Sequence, residues 1–283
     1  MAETYSQNRT AVAEPKTGSE EPVVVFNHVS LAFDDTVVLR DVSFTLPRGH
    51  TKIILGASGA GKSISLKLVL GLLKPDAGEI WVNGRRVDQL SEDEMMKVRA
   101  DLGMVFQEGA LFDSLTVGEN VGYKLYEETD QPLDEVRKRV EEVLGFVRLA
   151  EFIDRKPSEL SGGQRRRVAI ARAMAVKPRI LLYDEPTTGL DPITADTVDE
   201  EIVKLRDLED VSSILVTHQL RDAFFVATHE AITEAGKINF VLARPGKLEE
   251  AEFMMLKDGL ILFEGTASEL RASTDPYIQA FLS

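Results

Sequence analysis

Lys62 and Ser63 close the run Gly56-Ala57-Ser58-Gly59-Ala60-Gly61-Lys62-Ser63, whose residue types suit the enclosure of a phosphate. Glycines let the backbone curl so that several N–H groups converge on one anion, in conformations that a side chain would block. Lys62 adds a mobile positive charge for β- and γ-phosphates, and Ser63 a hydroxyl for a divalent cation. The string fits G-x-x-x-x-G-K-[ST] in full, and its flanks have the character that motif requires. Thr51–Leu55 is a short apolar run, expected to be a buried strand, and Lys62–Gly71 is expected to be a helix. The positive N-terminal end of that helix then points at the anion.

A second constellation is Ile180-Leu181-Leu182-Tyr183-Asp184-Glu185, an apolar strand ending in two acids. In parallel sheets, ligands gather at the carboxyl ends of strands, so this pair is expected to face the phosphate loop. Asp184 suits a Mg²⁺ site, and Glu185 suits a general base that orients water. Phosphoryl transfer needs chiefly positioning and charge stabilisation, which so few groups can supply. Alone the acid pair is a common strand ending; downstream of a phosphate loop it acquires a task.

Further strands are expected at Val23–Phe26, Val38–Phe44, Glu79–Val82, Gly103–Gln107 and Ser213–Val216, with an Asn83-Gly84 turn. Helices are expected at Asp134–Leu149, with its stripe of Val136, Val140, Val143, Leu144 and Val147, and at Arg165–Val176. Strands alternating with helices indicate an α/β fold with a mainly parallel sheet. At 283 residues the chain has ample core for stability without disulfides, and it contains no cysteine, which excludes thiol chemistry and cysteine-held metals. Thirty-three Lys and Arg against forty-seven Asp and Glu leave a formal charge of −14, which argues against nucleic-acid binding. Arg165-Arg166-Arg167 is therefore expected to be a solvated face, and His28, His50 and His229 to be ordinary surface or core histidines. No apolar run spans a bilayer: the best, Ile64–Leu73, is interrupted by Lys67. Residues 1–21 lack an apolar core and carry Glu3, Glu14, Glu20 and Glu21, so they are expected to form a disordered tail rather than a secretory signal.

Leu160-Ser161-Gly162-Gly163-Gln164, ahead of the basic, Ala-rich helix, completes a set of motifs that resembles the ATP-binding-cassette (ABC) transporter ATPases from about Val23 to Leu282. In the family's order, Gly56–Ser63 resembles the Walker A loop, Gln107 the Q-loop, Leu160–Gln164 the signature, and Asp184-Glu185 the Walker B pair. Asp191 resembles the D-loop aspartate and His218 the switch histidine; Phe33 stands where the family places a ring, more often Tyr, against adenine. The resemblance implies a P-loop NTPase (RecA-like) core with an antiparallel β subdomain and an inserted α-helical subdomain near residues 108–165, within an ATPase domain of residues 22–272. It implies ATP and Mg²⁺ as cofactors. Ser63, Gln107 and Asp184 would hold the metal, Lys62, Glu185, His218 and Gln107 would act in hydrolysis, and Phe33, Gly56, Ser58, Gly59, Ala60 and Gly61 would hold the nucleotide. It further implies a homodimer enclosing two ATP, with Ser161, Gly162, Gly163, Gln164 and Asp191 completing the partner copy's site, and a separate integral-membrane permease holding the ATPase at the cytoplasmic face of the inner membrane.

Phe106-Gln107-Glu108-Gly109-Ala110-Leu111-Phe112, Asp191-Pro192-Ile193-Thr194 and Asp275-Pro276-Tyr277-Ile278-Gln279-Ala280-Phe281-Leu282 are similar to the Mla, or MCE-type, phospholipid-transport ATPases. That implies an MCE-domain subunit, a small STAS-domain subunit and phospholipid as cargo. Other expectations are an importer ATPase for a different solute, a mechanochemical ATPase without a permease, and a binding-only cassette; the presence of Lys62, Asp184, Glu185 and His218 weighs against the last. Thr228–Glu252 is longer than the family pattern by roughly twenty residues. Its expected form is a β-hairpin from Ile238–Leu242 and Phe253–Leu256, with Arg244-Pro245-Gly246 as the turn, either partner-binding or a tolerated insertion. Residues 273–283 are expected to be a tail whose apolar residues pack on a neighbouring ATPase subunit.

Overall fold

The computed structural model describes residues 21–107 and 109–283; the expected disordered tail, apart from residue 21, and Glu108 lie outside the described residues. The chain opens with β1 (Pro22–Phe33), β2 (Thr36–Pro47) and β3 (Thr51–Leu55), followed by α1 (Lys62–Val69). Next come β4 (Ala77–Val82), β5 (Arg85–Arg86), α2 (Glu92–Arg99) and β6 (Leu102–Val105). Helices α3 (Val117–Glu128), α4 (Leu133–Phe146) and α5 (Gly162–Ala175) follow, then β7 (Ile180–Asp184), α6 (Pro192–Glu209), β8 (Ser212–Val216) and α7 (Leu220–Thr228). The rest is β9 (His229–Glu234), β10 (Lys237–Leu242), α8 (Pro245–Leu248), β11 (Ala251–Lys257), β12 (Leu260–Gly265), α9 (Ala267–Ala272) and α10 (Pro276–Leu282).

The central sheet has the order β12-β11-β3-β8-β7-β6. Its strands from β11 to β6 run parallel, and β12 closes the edge antiparallel. Because β3, β7 and β8 are covered on both faces, their apolar residues run without polar alternation. Alternate residues nevertheless serve different cores: Ile53, Leu181 and Leu215 join one cluster, and Ile54, Leu182 and Ile214 the other. The second cluster lies beneath a four-stranded antiparallel sheet, β2-β1-β4-β5, with Phe26 and Phe44 stacked at 4.5 Å. β1 and β2 each run twelve residues, far beyond the expected Val23–Phe26 and Val38–Phe44. Bulges between Phe26 and Ala32 break the two-residue alternation on which a sequence reading relies.

The expected hairpin is corrected. Ile238–Leu242 lies in β10, which pairs with β9, whereas Phe253–Leu256 lies in β11 beside the phosphate-loop strand β3. Four consecutive apolar residues, all fully buried, can be satisfied in a two-sided sheet but not in a hairpin at the edge. Arg244 caps the short helix α8 in place of a simple turn. The true hairpin is tied to α6, where Asp207 Oδ2 accepts the Ala231 N–H at 2.8 Å. The C-terminal residues form a helix: Asp275 caps α10, Ile278 is buried, and Tyr277, Phe281 and Leu282 lean on the core of their own chain. The arginine triplet is not a solvated face either. Arg165 donates to the Leu160 carbonyl, Arg166 to those of Phe106 and Thr188, and Arg167 to that of Val147.

The placement of β11 is open to a direct test. Phe253→Ala is expected to cost about 3–5 kcal/mol in urea unfolding, as for a fully buried aromatic ring. Leu242→Ala, at the exposed end of β10, is expected to stay within about 0.5 kcal/mol. A small loss for Phe253→Ala contradicts its place in the sheet.

Candidate active site

Three strand ends build the site. β8 pairs with β3 on one side and β7 on the other, with Val216 opposite both Ile54 and Asp184. Parallel pairing in this register sends the phosphate loop, the acid pair and His218 out of the same sheet edge. The loop turns into α1 through Gly61, which takes φ 96°; a Cβ there would lie 2.7 Å from Leu39 Cδ2, so glycine is required twice over. Ala60 N donates to the Ala57 carbonyl at 3.2 Å and tightens the turn.

Lys62 is almost buried, and its Nζ donates to the Gly56 and Ala57 carbonyls at 2.8 and 3.1 Å. Glu185 Oε1 stands 4.0 Å from that Nζ. Burial lowers the Lys62 value from its ordinary range, against the raising effect of Glu185 and Asp184. Ser63 Oγ donates to Asp184 Oδ1 at 2.7 Å, which places a hydroxyl and a carboxylate side by side. Burial raises Asp184 above the usual carboxylate range, opposed by the Ser63 hydrogen bond and reinforced by the charge of Glu185.

Glu185 sits in the left-handed region at φ 51°, an uncommon conformation for a side-chain-bearing residue. Its backbone N–H reaches the Val216 carbonyl at 2.9 Å. Its Oε2 accepts the Thr188 hydroxyl at 3.0 Å and lies 2.8 Å from His218 Nδ1. The strained backbone thus aims a nearly buried carboxylate at the loop, held by two neighbours on one oxygen.

A cleft of about 790 Å³ gathers Phe33, Gly56, Ser58, Gly59, Gly61, Lys62, Ser63, Gln107, Glu185 and His218. Val38, Ile64 and Phe281 line it too, and sequence reasoning missed them. Phe281 comes from α10, far along the chain, and no local pattern announces its arrival here. Thr188 was missed as well, although a hydroxyl three residues beyond Glu185 is a local signal.

Ser161, Gly162, Gly163, Gln164 and Asp191 do not line this cleft. The first four open α5, and Asp191 opens α6. Ser161 caps α5 by accepting the Gln164 N–H at 3.2 Å, and Gln164 Oε1 accepts the Ser161 N–H at 2.8 Å. Asp191 caps α6, accepting the Thr194 N–H at 3.1 Å and its hydroxyl at 2.6 Å, and these bonds hold its carboxyl below the usual range. The two caps touch: a Cβ on Gly163 would meet Thr194 Cγ2 at 1.9 Å.

A phosphate loop facing an acid pair and a histidine across adjacent parallel strands defines a P-loop ATPase. The ABC transporter family profile matches residues 39–188, more than half of the chain. The chain belongs to that family, as one of its ATPase subunits. It is 36% identical over 258 residues to Protein TRIGALACTOSYLDIACYLGLYCEROL 3, chloroplastic, of Arabidopsis thaliana, covering 88% of this chain and 70% of the relative. It is 40% identical to a methionine import ATP-binding protein of Symbiobacterium thermophilum, over 83% of this chain and 76% of the relative. Its structure is similar to a dimeric ATP-binding cassette in a post-hydrolysis state bound to ADP and Pi. That likeness has a TM-score of 0.72 and 31% identity, covering 86% of this chain and 98% of the other. Among the described residues no helix is long and apolar enough to cross a membrane.

The contact between the two caps makes a prediction. Gly163→Ala is expected to destabilise by about 1–3 kcal/mol through overpacking against Thr194. Adding Thr194→Ser, which removes the offending methyl and keeps the hydroxyl for Asp191, is expected to restore most of the loss in thermal unfolding. An unchanged double mutant counts against this contact.

Proposed function

We propose that the chain hydrolyses ATP between two copies of itself and thereby drives a membrane permease that moves phospholipid between membranes. The observation that carries the ATPase part is the meeting of Lys62, Ser63–Asp184 and Glu185–His218 at one sheet edge. Lys62 exchanges its carbonyl acceptors for phosphate oxygens. Phe33 offers its exposed ring to the base, beside Phe281. The oxygen pair of Ser63 and Asp184 fits Mg²⁺, which prefers hard oxygen donors, and Gln107 at the cleft wall is placed to join them. When bound, that ion neutralises charge on the transferring phosphoryl group.

Glu185 Oε2 is occupied by Thr188 and His218, so Oε1 is the oxygen left to take a proton from the attacking water. His218, half-exposed, is positioned to hydrogen-bond the γ-phosphate. The signature residues lie outside their own chain's cleft, which favours their supply in trans. A Gly-rich turn at a helix N-terminus is an anion site, so Ser161 and Gly163 complete the partner copy's phosphate cage.

What supports the phospholipid reading is the set of strings around Gln107, Asp191 and Asp275, together with a relative whose printed name is that of a diacylglycerol glycolipid. On that reading the partners are a permease, an MCE-domain subunit and a STAS-domain subunit, with the ATPase peripheral at the inner membrane. A second reading, import of another solute, is favoured by the methionine-import relative. Native mass spectrometry of the complex captured through this chain separates them. A permease with an MCE-type subunit and bound phospholipid is expected; a periplasmic-type solute receptor overturns the lipid reading, and no membrane partner overturns both.

Glu185→Gln is expected to keep ATP binding while lowering hydrolysis by about 10²–10⁴-fold, because the base is lost and the cradle remains. Lys62→Ala is expected instead to raise the nucleotide Kd. Wild-type turnover in Glu185→Gln removes that residue from the base role.

A further inference from the structure

α6 starts at the cap Asp191, beside the signature turn, and α7 starts two residues after His218. The two helices pack together, and at their contact are two carboxyls sealed from water: Asp199 is 1% exposed and Asp222 5%. As carboxylates neither can donate, and both oxygens of Asp199 then lack a hydrogen-bond partner. A proton on Asp199 supplies the missing donor, with the Asp222 carboxyl as the neighbour able to accept it.

The neighbours decide which residue keeps the proton. Asp222 lies in the first turn of α7, where the helix dipole favours negative charge, with Arg221 Nη1 at 3.9 Å. Asp199 is in the middle of α6 with no such help. Other charged groups on α6 and on the elements packed against it, β9 and α5, have partners of their own. On α6, Asp196 pairs with Arg221, Glu201 with Lys204, and Glu200 adds only repulsion. From β9, Glu230 pairs with Arg244, and His229 Nδ1 contacts the Phe225 carbonyl. From α5, Arg166 and Arg167 donate to backbone carbonyls. Burial first, then the charge and hydrogen bond of Asp222, push Asp199 up to about 9.

We propose that Asp199 and Asp222 share one proton that clasps α6 to α7, so that the loops carrying Asp191 and His218 move as one body. Both are positioning residues and touch no substrate. The clasp stabilises the fold fully below the ordinary carboxylate range and is lost as pH rises through about 9.

The test is the ATPase rate of the full chain from neutral to alkaline pH, compared with Asp199→Asn. The amide stays neutral and still donates to Asp222, so its rate at neutral pH is expected to remain near wild type. The ratio of wild type to variant is expected to fall about tenfold as the pH passes 9, the scale of losing one hydrogen bond to a charged group. Lys62, with its lowered value, titrates in both proteins and cancels in the ratio. A flat ratio overturns the proposal. If Asp199→Asn does not fold, infrared spectroscopy of the wild-type chain supplies the answer. A carboxylic-acid C=O band is expected at neutral pH, titrating near 9, with its midpoint lowered in Asp222→Asn. No acid band in that range overturns the clasp.

Discussion

Everything in this molecule depends on the in-register parallel pairing of β3, β8 and β7. Parallel strands end on the same side, so a loop from each converges without any further instruction. Lys62, Glu185 and His218 come from distant parts of the chain, yet the ladder leaves them within a few ångströms. The ladder in turn survives because both faces of the sheet are buried under separate apolar clusters, with each strand's alternate residues divided between them. Precise chemistry therefore rests on side chains that do no chemistry at all.

The same sealing explains the unusual charges. Withdrawing Lys62 and Asp184 from water moves their proton affinities in opposite directions, and each opposes the shift of the other. Glu185 occupies a left-handed backbone conformation and hands one oxygen to Thr188 and His218. These costs are borne by the surrounding hydrogen bonds. Away from the cleft, the arginines at the start of α5 spend their donors on carbonyls of the Gln107 approach, the loop after Glu185 and the end of α4's turn. They act as internal struts, joining the helical part of the chain to the sheet edge that carries the cleft.

The nucleotide half of the site was legible because phosphate binding demands rare residues in contiguous order: Gly56–Ser63 and Asp184-Glu185 can be read without folding the chain. The signature residues were legible as a motif, but their relation to Thr194 was not, since it depends on two helix caps meeting in space. Phe281 was unreadable for the same reason. The sheet assignment failed where the pattern was ambiguous. Phe253–Leu256 is a continuous apolar run, and such a run identifies a buried strand without naming its neighbour. β1 and β2 were cut short because bulges interrupt the alternation.

The placement of β11 has a consequence for biosynthesis. The strand that feeds the phosphate loop has two lateral neighbours, and both lie far downstream: Thr51 bonds to Ser213, and Lys52 reaches across to Glu252 and Glu264. While the ribosome is still making the helices, β3 has emerged with both edges bare and all five residues apolar or destined for burial. Contacts of such sequence separation form slowly, and unpaired apolar edges invite association with other chains. The phosphate-binding segment is thus made well before either strand that flanks it, and it is secured only once both have followed.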